Sequence, residues 1–192
     1  MCVFDSSPGG LDGGIAVTRA DIAERTEIII GISRLSHEEW KTLRTLRLHA
    51  LRDSSNAFLG NIADEIDKDA QYWKIKCLNE IWYVARVNGG SVGIAKLHDS
   101  GSPSEATYIE SMWVKKRFRR IGVAKSLVQA LEKETVARCK DEIRLWVFEN
   151  NIAARKLYES LGYHGPVNEQ SLCTARGDVI EQEFRKTLGP AR

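Results

Sequence analysis

The sequence predicts an α/β fold, a mixed and mostly antiparallel central sheet flanked by helices. Two observations carry this. Two strand-like runs, IWYVARV and SVGIAKLH, are joined by Asn88-Gly89-Gly90 and read as a hairpin. After them strand and helix patterns alternate, from the run TYIESMWV to the charged segment before Leu188. Hairpins followed by strand–helix–strand units are the pattern of a mixed sheet with helices on its faces. The 192 residues, 43% hydrophobic and 28% charged, suit one domain with a real core.

Residues 1–25 contain SSPGGLDGG and read as a flexible leader, leaving 26–192 as a single domain. Thr26 to Leu35 is the first expected strand. Ser36 with Glu39 three residues on makes a capping box, and the helix it opens runs to about Arg52 on an apolar stripe of Trp40, Leu43, Leu46 and Leu51. Asp53-Ser54-Ser55-Asn56 breaks it. A second helix is expected from about Ile62 to Leu78, with Ile66 and Trp73 inward. The hairpin follows, its strands Ile81 to Val87 and Ser91 to His98. Next come a polar loop from Asp99 to Glu105 and a strand from Thr107 to Val114. A helix opens at Gly122 and ends near Cys139, with Val123, Leu127, Val128 and Leu131 at helical spacing. Ile143 to Phe148 is a buried strand and Ile152 to Leu161 a short helix that Gly162 caps. Tyr163-His164-Gly165 begins another strand, residues 166–177 read as a loop, and Val179 to Leu188 as the closing strand.

Composition removes several function classes. A net charge of +2 gives no general bias toward nucleic acid or membrane, and no apolar run approaches a membrane span. Cys2, Cys77, Cys139 and Cys173 are far apart, with no CxxC and no His/Cys cluster for a metal. A reduced, cytoplasmic protein is the expectation.

The chemistry concentrates after Val114. A strand ends there; a basic loop follows (Lys115, Lys116, Arg117, Phe118, Arg119, Arg120); then Gly122 and Ala124 open a helix. The first N–H groups of a helix have no internal partner, and the macrodipole adds partial positive charge at the same end. A pyrophosphate fits such a place, and arginines beside it add charge-assisted hydrogen bonds. The basic run read alone also suits a nucleic-acid contact or a solvated loop.

Arg119-x-x-Gly122-x-Ala124 resembles the Q/R-x-x-G-x-G/A motif of the GNAT superfamily, the acetyl-CoA-dependent N-acetyltransferases. Asn151-x-x-Ala154-x-x-Leu157-Tyr158-x-x-x-Gly162-Tyr163 resembles the family's second signature. The likeness covers about 28–188 in layout, and its specific residues lie in 110–163. It implies the GNAT fold, with a splayed strand pair that holds acetyl-CoA, and no metal. The implied cofactor-binding residues are Met112, Trp113 and Val114 at the strand end, Arg119, Arg120, Ile121, Gly122, Val123, Ala124 and Lys125 at the cradle, and Asn151 and Tyr158 downstream. Two positions depart from the family pattern: Lys116 replaces the usual proline, and Arg120 an often-found glycine.

For catalysis the resemblance makes Tyr158 the proton donor to the departing CoA thiolate; by spacing alone it is equally an aromatic at the core edge. Glu110 is the candidate base for the amine proton, because a carboxylate in a buried strand is costly unless used or paired; a cross-strand ion pair with Lys96 or Arg144 is the alternative. Alternation puts Glu110 on one face with Tyr108 and Met112. His98 and Glu149 are weaker substitutes. Asn151 equally serves as a helix N-cap. The loop Ser54 to Gly60 would border the acceptor site, with Phe58 either in that wall or in the core. The expected activity is transfer of the acetyl group of acetyl-CoA to a primary amine of a small molecule, by direct attack in a ternary complex. A protein lysine or N-terminal acetyltransferase and a non-catalytic acyl-CoA-binding sensor stand as alternatives. Neither nucleic acid nor membrane is an expected partner; a homodimer, paired through the last strand, is possible by analogy.

Overall fold

The computed structural model describes residues 28–102, 105–174 and 177–189. The expected leader and the start of the expected first strand lie outside the described residues. Seven strands form one sheet in the order β1-β2-β3-β4-β5-β7-β6. They are β1 (Ile30–Arg34), β2 (Ile81–Val87), β3 (Gly90–His98), β4 (Thr107–Val114), β5 (Glu142–Phe148), β6 (His164–Thr174) and β7 (Gly177–Thr187). Every neighbouring pair is antiparallel except β4 and β5, which run parallel. The expected mixed, mostly antiparallel sheet is therefore present.

The helices are α1 (Trp40–Asp53), α2 (Ile62–Glu65), α3 (Ala70–Asn79), α4 (Val123–Ala137) and α5 (Ile152–Ser160). α4 and α5 pack Val123, Leu127, Val128, Leu131 and Tyr158 on one side of the sheet against Ala85, Ile109, Val147 and Phe184. On the other side, α1 and α3 bring Leu43, Leu46, Trp73 and Cys77 against Trp82, Val84, Ile94 and Trp113. Trp73 is fully buried and Trp82 nearly so. Burying each such side chain contributes about 1.5–3 kcal/mol.

Local chemistry explains most boundaries. The Ser36–Glu39 capping box forms, the Glu39 carboxylate accepting from the Ser36 N–H at 3.0 Å. A single 3-10 turn, His37–Glu39, precedes α1. The β2–β3 hairpin turns on Asn88 and Gly89, both at positive φ. The helix expected over 62–78 is two helices. α2 ends at Glu65, and Asp69 starts α3 by accepting from the Tyr72 N–H at 2.8 Å. That break leaves Ile66 exposed rather than inward. Residues 166–174, expected as loop, are strand in β6, and Gly177 opens β7. The last strand, β7, pairs with β5 on one side and β6 on the other. Both its edges are occupied, so it is not free to pair with a second chain as expected.

Two departures from regular pairing shape the centre. β4 and β5 pair only over Thr107–Ile109 and Ile143–Leu145, then run on unpaired to Val114 and Phe148. A wedge opens between their C-terminal ends. Within β4, Ser111 adopts φ 54, and Ser111 and Met112 together face the single residue Ala95 of β3. This is a β-bulge, and it shifts the alternation by one. Ile109, Met112 and Val114 share the α4 side, while Trp113 joins the α1 side. Glu110 and Met112 therefore do not share a face, contrary to simple alternation. Among the described residues no helix is long and apolar enough to cross a membrane.

Candidate active site

The wedge between β4 and β5 continues into a cleft of about 550 Å³. Met112, Trp113 and Val114 form one wall. Gly122, Ala124 and Lys125 at the start of α4 form one end, with Arg119 and Arg120 beside them. Asn151 and the α5 face Ala153, Ala154, Leu157 and Ser160 form the opposite wall, with Lys156 at its rim. Ser54, Ala57 and Phe58, from the loop after α1, close the side next to Trp113. Sequence reasoning placed Phe58 between core and wall; it lines the cleft and also packs on the α1-side core. It missed Ala153, Lys156 and Ser160, although the i, i+3, i+4 and i+7 spacing along α5 carries that signal.

The end of the cleft at α4 has the chemistry of an anion cradle. Gly122 caps α4 at φ 94, a conformation that suits glycine. A Cβ added there would meet only Ile30 Cδ1, at 3.8 Å. The protein's own need for glycine is therefore backbone conformation, not space. The Ser126 N–H already donates to the Gly122 carbonyl at 3.0 Å. The N–H groups of Val123, Ala124 and Lys125 are those a helix leaves without internal partners. Val123 turns its side chain into the core, so only its backbone faces this end. Ile121 is exposed and does not line the cleft.

Part of the basic run is tied to the protein itself, although Lys116, Arg117, Arg119 and Arg120 are exposed. Lys115 Nζ donates to the Ser91 carbonyl at 2.8 Å, and Arg117 lies over the Phe118 ring. Arg119 Nε donates to the Val114 carbonyl at 2.8 Å, and its Nη2 donates to Asp53 at 2.7 Å and to Ser54 Oγ at 3.2 Å. Asp53 also accepts from the Trp113 indole N–H at 3.1 Å. That indole bond, with the Ser54 hydroxyl and Arg119, holds the Asp53 carboxyl below its usual range against the opposing effect of burial. Arg119 thus ties the cradle loop to the end of α1. Arg120, at φ 67, and Lys125 are the exposed cations beside the cradle.

Asn151 caps α5, its side-chain oxygen accepting from the Ala154 N–H at 3.2 Å, while it also lines the cleft. The capping reading holds, and the residue is placed at the cleft as well. Tyr158 is buried, its ring 5.7 Å from that of Tyr163. It lies one helical turn beyond Ala154 and next to Leu157, behind the wall these two form, and does not itself line the cleft. Burial pushes its phenol well above the ordinary range. Glu110 is not the buried carboxylate expected: its side chain is 42% exposed, and it pairs with Lys96 at 2.7 Å across β3–β4. Arg144, the other candidate partner, binds Glu142 and Glu183. Among the described residues no group of His, Cys, Asp or Glu is placed to hold a metal.

A bulged strand splays from its parallel neighbour, and a glycine-capped helix lies across the opening. The model of the Acetyltransferase (GNAT) family matches residues 43–163, more than half of the chain, and the chain belongs to that family. It is 30% identical to acetyltransferase YE1169 of Yersinia enterocolitica over 105 residues, 55% of this chain and 70% of the relative. The fold is similar to that of a GNAT-family acetyltransferase from Streptococcus pneumoniae, with TM-score 0.71 and 18% identity over 84% of this chain and all of that one. It is also similar to yncA, a putative acetyltransferase from Salmonella typhimurium solved with its cofactor acetyl-CoA. There the TM-score is 0.65 and the identity 16%, over 85% of this chain and 96% of the other.

Proposed function

We propose that the chain binds acetyl-CoA in the β4–β5 cleft and transfers its acetyl group to the primary amine of a small molecule. The observation that carries this is the opening of the β4–β5 pair onto the N-terminus of α4. The group and the residues fit. The free N–H groups of α4 with Arg120 and Lys125 suit a pyrophosphate. The apolar walls Met112, Val114, Ala154 and Leu157 suit a slender arm, and the unpaired β4 backbone offers donors and acceptors to its amides. The bonds of Lys115 to Ser91 and of Arg119 to Asp53 take two cations of the basic run away from a nucleic-acid backbone.

Acetyl-CoA supplies an activated acyl carbon. The residues supply position, which converts a bimolecular encounter into an effectively unimolecular one. A neutral amine attacks from the side of Phe58 and Ala57; the C–N bond forms as the C–S bond breaks. A backbone N–H beyond the bulge faces the carbonyl oxygen as it gains charge. Tyr158, buried behind the Ala154–Leu157 wall, donates a hydrogen bond to the departing thiolate only where that wall parts to admit its hydroxyl. Because burial disfavours its phenolate, this bond is its main service, and outright proton transfer is uphill. Glu110, on the opposite face of β4 from Met112, takes the amine proton through water.

The cofactor assignment is tested by calorimetric titration with acetyl-CoA, CoA and ATP. Micromolar binding of acetyl-CoA, with ATP far weaker, supports it; no binding by a folded chain overturns it. Release of CoA against amino acids, polyamines, aminoglycosides and short peptides then tests the acceptor. Turnover confined to the peptides would replace the small-molecule reading with a protein substrate.

A further inference from the structure

Arg47, on α1, is buried beneath both walls at the point where the bulge and the acceptor-side loop approach each other. Its Nε and Nη2 donate to the Glu65 carboxylate at 3.2 and 2.9 Å, and both side chains are close to 90% buried. Its third nitrogen, Nη1, donates to Ser111 Oγ at 3.1 Å. Ser111 is the bulged residue of β4, held at positive φ with a side chain that ordinarily avoids it. The backbone of the loop lies directly on the guanidinium: a Cβ at Gly60 would stand 2.9 Å from Nη2. The Phe58 ring packs 5.7 Å from the guanidinium carbon.

A buried ion pair is a poor stabiliser, because desolvation offsets most of its attraction. It does fix direction. The guanidinium is planar, so a fork onto Glu65 sets where Nη1 points. Here Nη1 points at the one β4 residue whose conformation decides which face Met112 takes.

We propose that Arg47 is a positioning residue for acetyl transfer. Clamped by Glu65, it pins the Ser111 bulge and the Phe58 loop in one geometry, so that the β4 backbone meets the thioester carbonyl opposite the acceptor wall. This rests on the reading of the cleft as an acetyl-CoA site. The pair Arg47–Glu65 thus belongs to the reaction rather than to the core. Lysine cannot replace Arg47, because an ammonium has no fork to aim a third donor.

The test needs no acceptor. Acetyl-CoA carrying carbon-13 at the acetyl carbonyl is bound to wild type, Ser111→Ala and Arg47→Lys, and its carbonyl resonance is recorded beside calorimetric affinities for acetyl-CoA and CoA. In wild type the resonance moves downfield on binding. In both variants at least half of that displacement is lost, and the preference for acetyl-CoA over CoA falls by about 3- to 10-fold, as loss of one aligned hydrogen bond implies. CoA affinity and the circular dichroism spectrum stay as in wild type. An unchanged resonance in Ser111→Ala overturns the inference, and that variant carries the test alone if Arg47→Lys does not fold. A wild type that binds neither ligand removes the cleft reading itself, and this inference with it. A wild type that binds with no displacement overturns the inference only.

Discussion

Asp53 is the sharpest place to perturb the link between the two sides of the cleft. Its carboxylate accepts from the Trp113 indole and from Arg119. Trp113 is 5% exposed, so removing its acceptor strands a nearly dry N–H, at a cost of about 1–3 kcal/mol. The Arg119 pair is worth less, about 0.2–1 kcal/mol, because its side chains are 43% and 36% exposed and solvent screens them. Asp53→Ala should therefore lose about 2 kcal/mol. Asp53→Asn keeps an oxygen for the indole and should lose about 0.5 kcal/mol. Urea unfolding at neutral pH, compared at equal m-value, measures both. Equal losses in the two variants would refute the primacy of the indole bond; a negligible loss in Asp53→Ala would refute the latch altogether. The pH dependence follows from the lowered carboxyl. Its contribution is complete above the unfolded value, near 3.8, and is lost as pH falls through the lower folded value. The gap between wild type and Asp53→Asn should hold from neutral pH to about 4 and close below it.

Gly122→Ala should cost about 1–2 kcal/mol in thermal or urea unfolding, from its φ of 94 alone, and Gly122→Trp should abolish acetyl-CoA binding by calorimetry. Retained affinity in the tryptophan variant would remove the cradle from the site. Tyr158→Phe should lower kcat by about 10- to 100-fold with acetyl-CoA affinity unchanged, as expected for a contact made as the thiolate forms. Glu110→Gln should depress the rate near neutral pH or displace the acidic limb of the pH–rate profile; a profile identical to wild type would put the base elsewhere. Trp73→Ala should lose about 3–5 kcal/mol by urea unfolding, since Trp73 is fully buried and its truncation leaves a cavity.

What could be read from the chain depended on whether the signal was local. The β2–β3 hairpin was legible because Asn88 and Gly89 tolerate the positive φ its turn needs. The cradle was legible because Arg119, Gly122 and Ala124 lie within six residues. β6 was legible only at its start, around Tyr163 to Gly165: over 164–171 it is exposed on both faces, so no hydrophobic alternation marks its length as a strand. The break before α3 had a local sign in Asp69, an N-cap residue, that the expected long helix passed over. The bulge had none, because its positive φ falls on a serine, and only Arg47, 64 residues away, shows why that serine is held there. The α1-side partners of Arg119 are likewise long-range, and a motif cannot report them, whereas the Glu110–Lys96 pair could be read as an alternative from the expected strand pairing.

The strand order carries a consequence for synthesis. Among the described residues β6 has no neighbour but β7, and beyond its three pairs with β4, β5 has none but β7. Residues 164–174 thus leave the ribosome before the strand that will seat them exists. A nascent chain halted before Gly177 would carry the cleft-forming elements complete, yet β5 would show an open edge and β6 would be unattached. Quality control would meet that edge on every copy made, and the polar, strand-poor character of β6 keeps the waiting segment from pairing with a neighbouring chain in the interval.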